Sequence, residues 1–136
     1  MSVPDPAVVA WVRKADNDWK TIRASLQSGD PAWDAVCYHA EQAAEKYLKA
    51  FLIAHHTAPP RVHDLEQLLS LCLDFDASLK ALVADCSLLT DYAVDVRYPE
   101  SVEPDAATGQ AAVAAAERIC DAVRRCLPET GRAANH

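Results

Sequence analysis

The chain has 136 residues, of which 51% are apolar and 24% charged, proportions that fit one soluble globular domain and exclude both disorder and residence in a membrane. A chain of this length buries roughly two-thirds of the surface its unfolded form exposes, enough for a single core. The formal net charge of −7 opposes nonspecific attachment to nucleic acid or to an anionic membrane surface, so any phosphate-bearing ligand has to be met by a local basic cluster.

Glycine occurs only at positions 29, 109 and 131, and the wealth of Ala, Leu, Asp, Glu and Lys favours helix throughout. The opening residues lack the basic-then-apolar order of a signal peptide, and no run is apolar enough to span a bilayer. A cytoplasmic location is expected, with no contact to membrane. Cys37, Cys72, Cys86, Cys120 and Cys126 are odd in number and contain no CxxC pair, so they read as reduced thiols packed as small apolar residues.

Asp5-Pro6 sets a good N-cap before a proline at the first helical position, and Asp30-Pro31 repeats the signal. The first helix is expected to run from Pro6 to about Leu26 with Val8, Val9, Val12, Ala15, Trp19 and Ile22 at helical spacing, closed by Ser28-Gly29. The second is expected from Pro31 to about His56. On it Val36, Ala40, Ala43, Tyr47, Phe51 and Ala54 fall within roughly 80° of one another, a stripe whose alanines let a neighbour approach closely. Glu45 stands one turn before Lys49, the favourable acid-before-base order, and Lys49 itself is expected in solvent.

Pro59-Pro60 imposes an extended connection. A third helix starts at His63-Asp64, with Asp64 as cap and Leu65, Leu68, Leu69 and Cys72 inward. Asp76 caps a fourth, Ala77 to Val96, with Leu79, Leu82, Val83, Cys86, Leu89 and Ala93 inward. Pro99 and Pro104 punctuate a loop. The last helix, Ala106 to Leu127, carries Ala112, Ala115, Ala116, Ile119, Val123 and Cys126, after which residues 128–136 read as a frayed tail. The expected fold is all-α: a single domain over 1–136, ordered over about 6–127, forming an antiparallel up-and-down four-helix bundle with an additional short helix. Trp11, Trp19 and Trp33 add large apolar surfaces that one small core has difficulty covering, which argues for a homodimer.

"CYHAEQAAEKYLKAFL" (Cys37 to Leu52), "HDLEQLL" (His63 to Leu69) and "YAVDVRYP" (Tyr92 to Pro99), in this order, resemble the HEPN family of small prokaryotic helical proteins, over roughly Trp11 to Cys126. The resemblance implies a bundle that usually dimerises and is often encoded beside a minimal nucleotidyltransferase in a toxin–antitoxin-like pair. Relatives either bind nucleotide or cleave RNA. The cleaving branch uses an arginine followed, after four to six residues, by a histidine. Arg97 matches the arginine, while the three histidine positions hold Val102, Glu103 and Pro104. Metal-free RNA cleavage needs one group to take the 2′-hydroxyl proton and another to stabilise the phosphorane charge, and Arg97 supplies only the second.

The ligand-binding candidates are Arg97, Tyr98, His39 and Lys46. Arg97 sits where a cation favours a helix C-terminus, and its planar fork also suits a phosphate. Tyr98 either packs in the core or stacks on a base. His39 and Lys46 lie about 20° apart, two turns along the second helix with Gln42 between, an edge that suits a phosphate, a partner carboxylate or plain solvent. Asp91 and Asp95, one turn apart, read as salt-bridge partners of Arg97 or of another chain. His55, His56 and His63 show no metal-ligand spacing, and no catalytic group, metal or cofactor is assigned. Taken together these features read as a nucleotide- or partner-binding module; a metal-independent ribonuclease toxin and a non-catalytic helical adaptor are the alternatives.

Overall fold

The computed structural model describes residues 5–95 and 102–127. Five α-helices follow one another: α1 (Pro6–Gln27), α2 (Trp33–Ala54), α3 (Leu65–Leu73), α4 (Val83–Asp95) and α5 (Ala106–Cys126), with a 3₁₀ stretch at Ala77–Leu82. No strand occurs among the described residues.

The caps form largely where the sequence places them. Asp5 accepts from the Ala7 amide, Asp64 from those of Glu66 and Gln67, Asp76 from Ser78, and Asp105 from Thr108. Asp30 does not repeat the device: α2 starts at Trp33, with Ala32 as an N-cap that has no side-chain hydrogen bond. The Ser28 hydroxyl instead accepts from the Asp30 amide, and the Ser25 hydroxyl from that of Ala32, which holds residues 30–32 in the turn. At its far end α2 stops at Ala54 because His56 adopts a left-handed φ of 60°, and the Thr57 amide reaches back to the Leu52 carbonyl at 2.9 Å.

Directions follow from contacts. Ser25 meets Ala32, Asp18 meets His39 and Asp16 meets Tyr47, so α1 and α2 are antiparallel. Asp76 meets Cys126 and Asp85 meets Arg118, so α4 and α5 are antiparallel too. Trp33 covers Gly109 at one end while Tyr47 meets Arg124 at the other, so α2 and α5 run parallel. The four long helices alternate in direction along the chain, as an up-and-down bundle requires, and α3 is the short addition.

The bundle is skewed. Helix α2 is the axis, packing on α1, α3, α4 and α5, whereas the backbones of α1 and α5 stay apart and the two helices meet through side chains, Arg124 lying 3.9 Å from Asp16. Ala40, Ala43 and Ala44 of α2 and Ala112, Ala115 and Ala116 of α5 are all fully buried, small side chains that permit close helix packing. Tyr47, Leu48, Phe51 and Leu52 fill the wider end with Leu65, Leu68, Leu69 and Leu89.

Three inward assignments need correction. Val83 is 45% exposed because the preceding turn is 3₁₀: with three residues per turn, Leu79 and Leu82 eclipse one another and both reach the core, which carries Val83 round to solvent. Cys126 is exposed and donates to Asp76, while Cys120 takes the buried position. Val9, at 37%, sits on the rim of α1. The tryptophans are accommodated within one core, Trp19 being buried and Trp11 and Trp33 packed against its edge, so they do not of themselves call for a second copy.

Two outcomes follow. A Cβ on Gly109 would collide with the six-membered ring of Trp33, so Gly109→Ala should lower stability by about 1–3 kcal/mol in urea unfolding, against a small gain expected for an exposed helical glycine. Burial pushes the thiols of Cys37 to about 11 and of Cys72 and Cys86 to about 12, and raises that of Cys120 further. At pH 8 a disulfide reagent should therefore titrate one thiol promptly, Cys126, and the other four only on unfolding.

Candidate functional site

Helix α2 carries its apolar stripe towards α1 and α5, which leaves the flank bearing Glu41, Gln42, Glu45, Lys46 and Lys49, with His39 at its edge, for polar chemistry. Most of this flank is not solvated. Glu41, Glu45 and Lys49 are 2%, 3% and 6% exposed, and Asp18 of α1 is 6% exposed. Carboxylates at such depth require donors, and the structure supplies them in two clusters.

In the first, Asp18 accepts from Lys46 Nζ at 2.6 Å through one oxygen and meets His39 Nδ1 at 2.8 Å through the other. An ionised carboxylate can only accept, so Nδ1 carries the proton that it receives. The imidazole is about a quarter exposed, and Tyr38 stands edge-on to it at 5.2 Å between centroids. In the second cluster, Glu45 accepts from Lys49 Nζ at 3.0 Å, and His63 Nδ1 lies 3.1 Å from Oε1. The Lys49 ammonium also sits over the Trp11 ring, 5.4 Å from its centroid. Between the clusters, Gln42 donates to Glu41 at 2.9 Å.

The expected edge of His39 and Lys46 is thus real, and the carboxylate that they meet belongs to the same chain. Gln42 does not join them. Lys49, expected in solvent, is buried because the Trp11 ring of α1 lies against its ammonium while Glu45 neutralises its charge. His63 reaches Glu45, and His55 stacks on Phe75 at 4.7 Å, so the three histidines read together in the sequence serve separate elements. Among the described residues no group of three metal-ligating side chains converges. Arg97 and Tyr98, together with the side chains of Asp91 and Asp95, lie outside the described residues.

A third network escaped the sequence reading. Tyr47 donates to Asp16 at 2.9 Å and accepts from Arg124 Nη2 at 2.8 Å, with the guanidinium 5.2 Å from the ring centroid. Burial raises the phenol well above its usual range, so this hydroxyl remains a donor at physiological pH. Asp18 was legible in principle: it falls three residues after Ala15 and four before Ile22, an inward register for a carboxylate. Arg124, in the last turn of α5, carries no sequence signal that distinguishes it from an ordinary helix-end cation.

Comparison with known proteins places this geometry. A family model described as HEPN domain matches residues 8–126. The fold is similar to that of TT1696 from Thermus thermophilus, at a TM-score of 0.72 and 24% identity over 88% of this chain and 98% of that one. It is also similar to ST0689, an archaeal HEPN homologue, at a TM-score of 0.69 and 20% identity over 89% and 98%. None of the proteins of curated function matches the sequence.

Asp18→Ala removes both acceptors of the first cluster and should cost about 1–3 kcal/mol, read from thermal unfolding. A second readout is specific to the geometry: nitrogen-15 correlation spectra should show His39 protonated at Nδ1 in the parent protein, with Nε2–H gaining population in the variant.

Proposed function

The chain belongs to the HEPN family, and we propose that it acts there as a nucleotide- or partner-binding module, a component of a nucleotidyltransferase-associated toxin–antitoxin-like pair, and not as a ribonuclease. The observation that carries this reading is the set of residues following Arg97. Where the cleaving branch has its histidine, this chain has Val102, 92% exposed, then Glu103 and Pro104, so the imidazole of that motif is missing. The motif then keeps its arginine and lacks its histidine.

In this reading Arg97 grips a phosphate bidentately, Tyr98 stacks on the base, and Lys46, with His39 beside it, extends the polar edge along α2. The net charge of −7 makes that local concentration of cations necessary, because the chain as a whole repels a nucleotide. Family members often dimerise, and a homodimer would bring two such edges to one cleft. The domain is taken to span residues 1–136, and its place is the cytoplasm.

The test is a calorimetric titration of ATP, GTP and a short single-stranded RNA into the parent protein and Arg97→Ala, with sedimentation of the same samples. Loss of one charge-assisted contact is worth about 2 kcal/mol, so the variant should bind roughly thirty-fold more weakly, and RNA should stay intact in EDTA. Cleavage of the RNA by the parent, abolished in Arg97→Ala, would put the ribonuclease reading in its place. Equal or absent binding in both proteins would leave the helical adaptor, and a monomer at micromolar concentration would remove the shared cleft.

A further inference from the structure

His39 and Lys46 leave α2 two turns from each other, so their Cα atoms stand about 10 Å apart along the helix axis. One carboxylate brings their tips together. Asp18 of α1 takes Lys46 Nζ on one oxygen at 2.6 Å and His39 Nδ1 on the other at 2.8 Å, so an ammonium and an imidazole from separate turns converge on a single group of another helix.

The anchor is hidden and the groups it anchors are not. Asp18 is buried, whereas the side chains of Lys46 and His39 are 19% and 27% exposed, so the open surface belongs to the two partners. An ammonium has three N–H donors, of which Asp18 takes one, and the ring has a second nitrogen, Nε2, that Asp18 does not touch. Both keep bonding capacity for a ligand. A neutral side chain of the same size would fill the space between α1 and α2 without the desolvation that a buried carboxylate incurs.

We propose that Asp18 is a positioning residue of the nucleotide site: from behind, it holds Lys46 and His39 at one spot on the α1–α2 edge, where Lys46 meets a phosphate oxygen and His39, through Nε2, the ligand group beside it. The inference rests on the nucleotide-binding reading above and adds to it a residue that does not itself touch the ligand. Preorganisation is the means. Two side chains that would otherwise lose rotamer freedom on meeting the ligand have already lost it on folding, so the ligand meets groups that are in place.

The experiment titrates ATP by calorimetry into the parent, Asp18→Asn, His39→Gln, the variant carrying both changes, and Arg97→Ala, each first checked for helical circular dichroism. Asparagine keeps the size of Asp18 but loses the charge that orders two donors, so ATP should bind about tenfold more weakly. In the His39→Gln background the same change should cost a smaller factor, because one of the two side chains through which Asp18 acts is already gone, whereas a merely structural role would cost the same in both. Nitrogen-15 spectra supply a second readout: saturating ATP should shift the ring signals of His39 in the parent. Asp18→Ser takes the place of Asp18→Asn if the amide disturbs the fold, with the same expectations. Unchanged affinity in the Asp18 variants, an equal loss in both backgrounds, or His39 signals that ignore ATP would overturn the inference, and would leave the nucleotide reading standing wherever Arg97→Ala still weakens binding. Absence of ATP binding by the parent would remove both.

Discussion

The architecture depends on how closely α2 and α5 approach. Alanines on both helices and Gly109 under Trp33 remove the side-chain bulk that normally keeps helix axes 8–10 Å apart. Because these two run parallel and pack on one another, α1 reaches α5 through side chains, Asp16 to Arg124, and not through backbone contact. The same approach decides where polar groups go. Tyr47, on the α2 face that meets α5, has its hydroxyl carried to the one place where an α1 carboxylate and an α5 guanidinium converge on it. The opposite flank, turned away from α5, receives Glu41, Glu45 and Lys49.

That flank is costly to build. Taking Asp18, Glu41, Glu45 and Lys49 out of water incurs a desolvation penalty that ion pairing at best offsets, and well-packed apolar residues in their place commonly stabilise a fold as well or better. Stability alone therefore does not account for a row of buried acids along the helix that carries the first of the family's sequence blocks. Their evident structural effect is orientation. Asp18 fixes the tautomer and direction of His39 and holds Lys46 beside it, and Glu45 does the same for His63 and Lys49. A cation anchored in this way loses little freedom on meeting a ligand, which is the property that a binding edge needs.

Much of the fold was legible because its signals are local. Asp5, Asp64 and Asp76 cap through their own carboxylates within three residues, and the α2 stripe from Val36 to Phe51 follows the helical period. Expectations failed where a local signal met a competing geometry. Asp30-Pro31 looks like a helix start, but the serines of the preceding turn claim the nearby amides. Val83 belongs to an α-helical face only if the turn before it is α-helical. For the site, the periodicity placed His39 and Lys46 on one edge, but nothing local revealed that their partner is Asp18, twenty-one residues away from His39. Lys49 was misplaced for the same reason, since the ring that covers it comes from another helix.

The two faces of α2 divide the labour of the molecule. Towards α5 the helix is nearly all alanine and aromatic, and its packing sets the skew that opens the groove between α1 and α5. Towards the other side it offers charge held by charge, within a domain whose family match runs from residue 8 to residue 126. A ligand on the polar flank would meet α2 directly, and the contacts of α1 and α5 with Tyr47 reach the same helix from behind. The Asp16–Tyr47–Arg124 network is therefore the physical link between the two surfaces. Its members come from all three helices, so a shift of α1 against α5 cannot leave the Tyr47 hydroxyl in its present bonds.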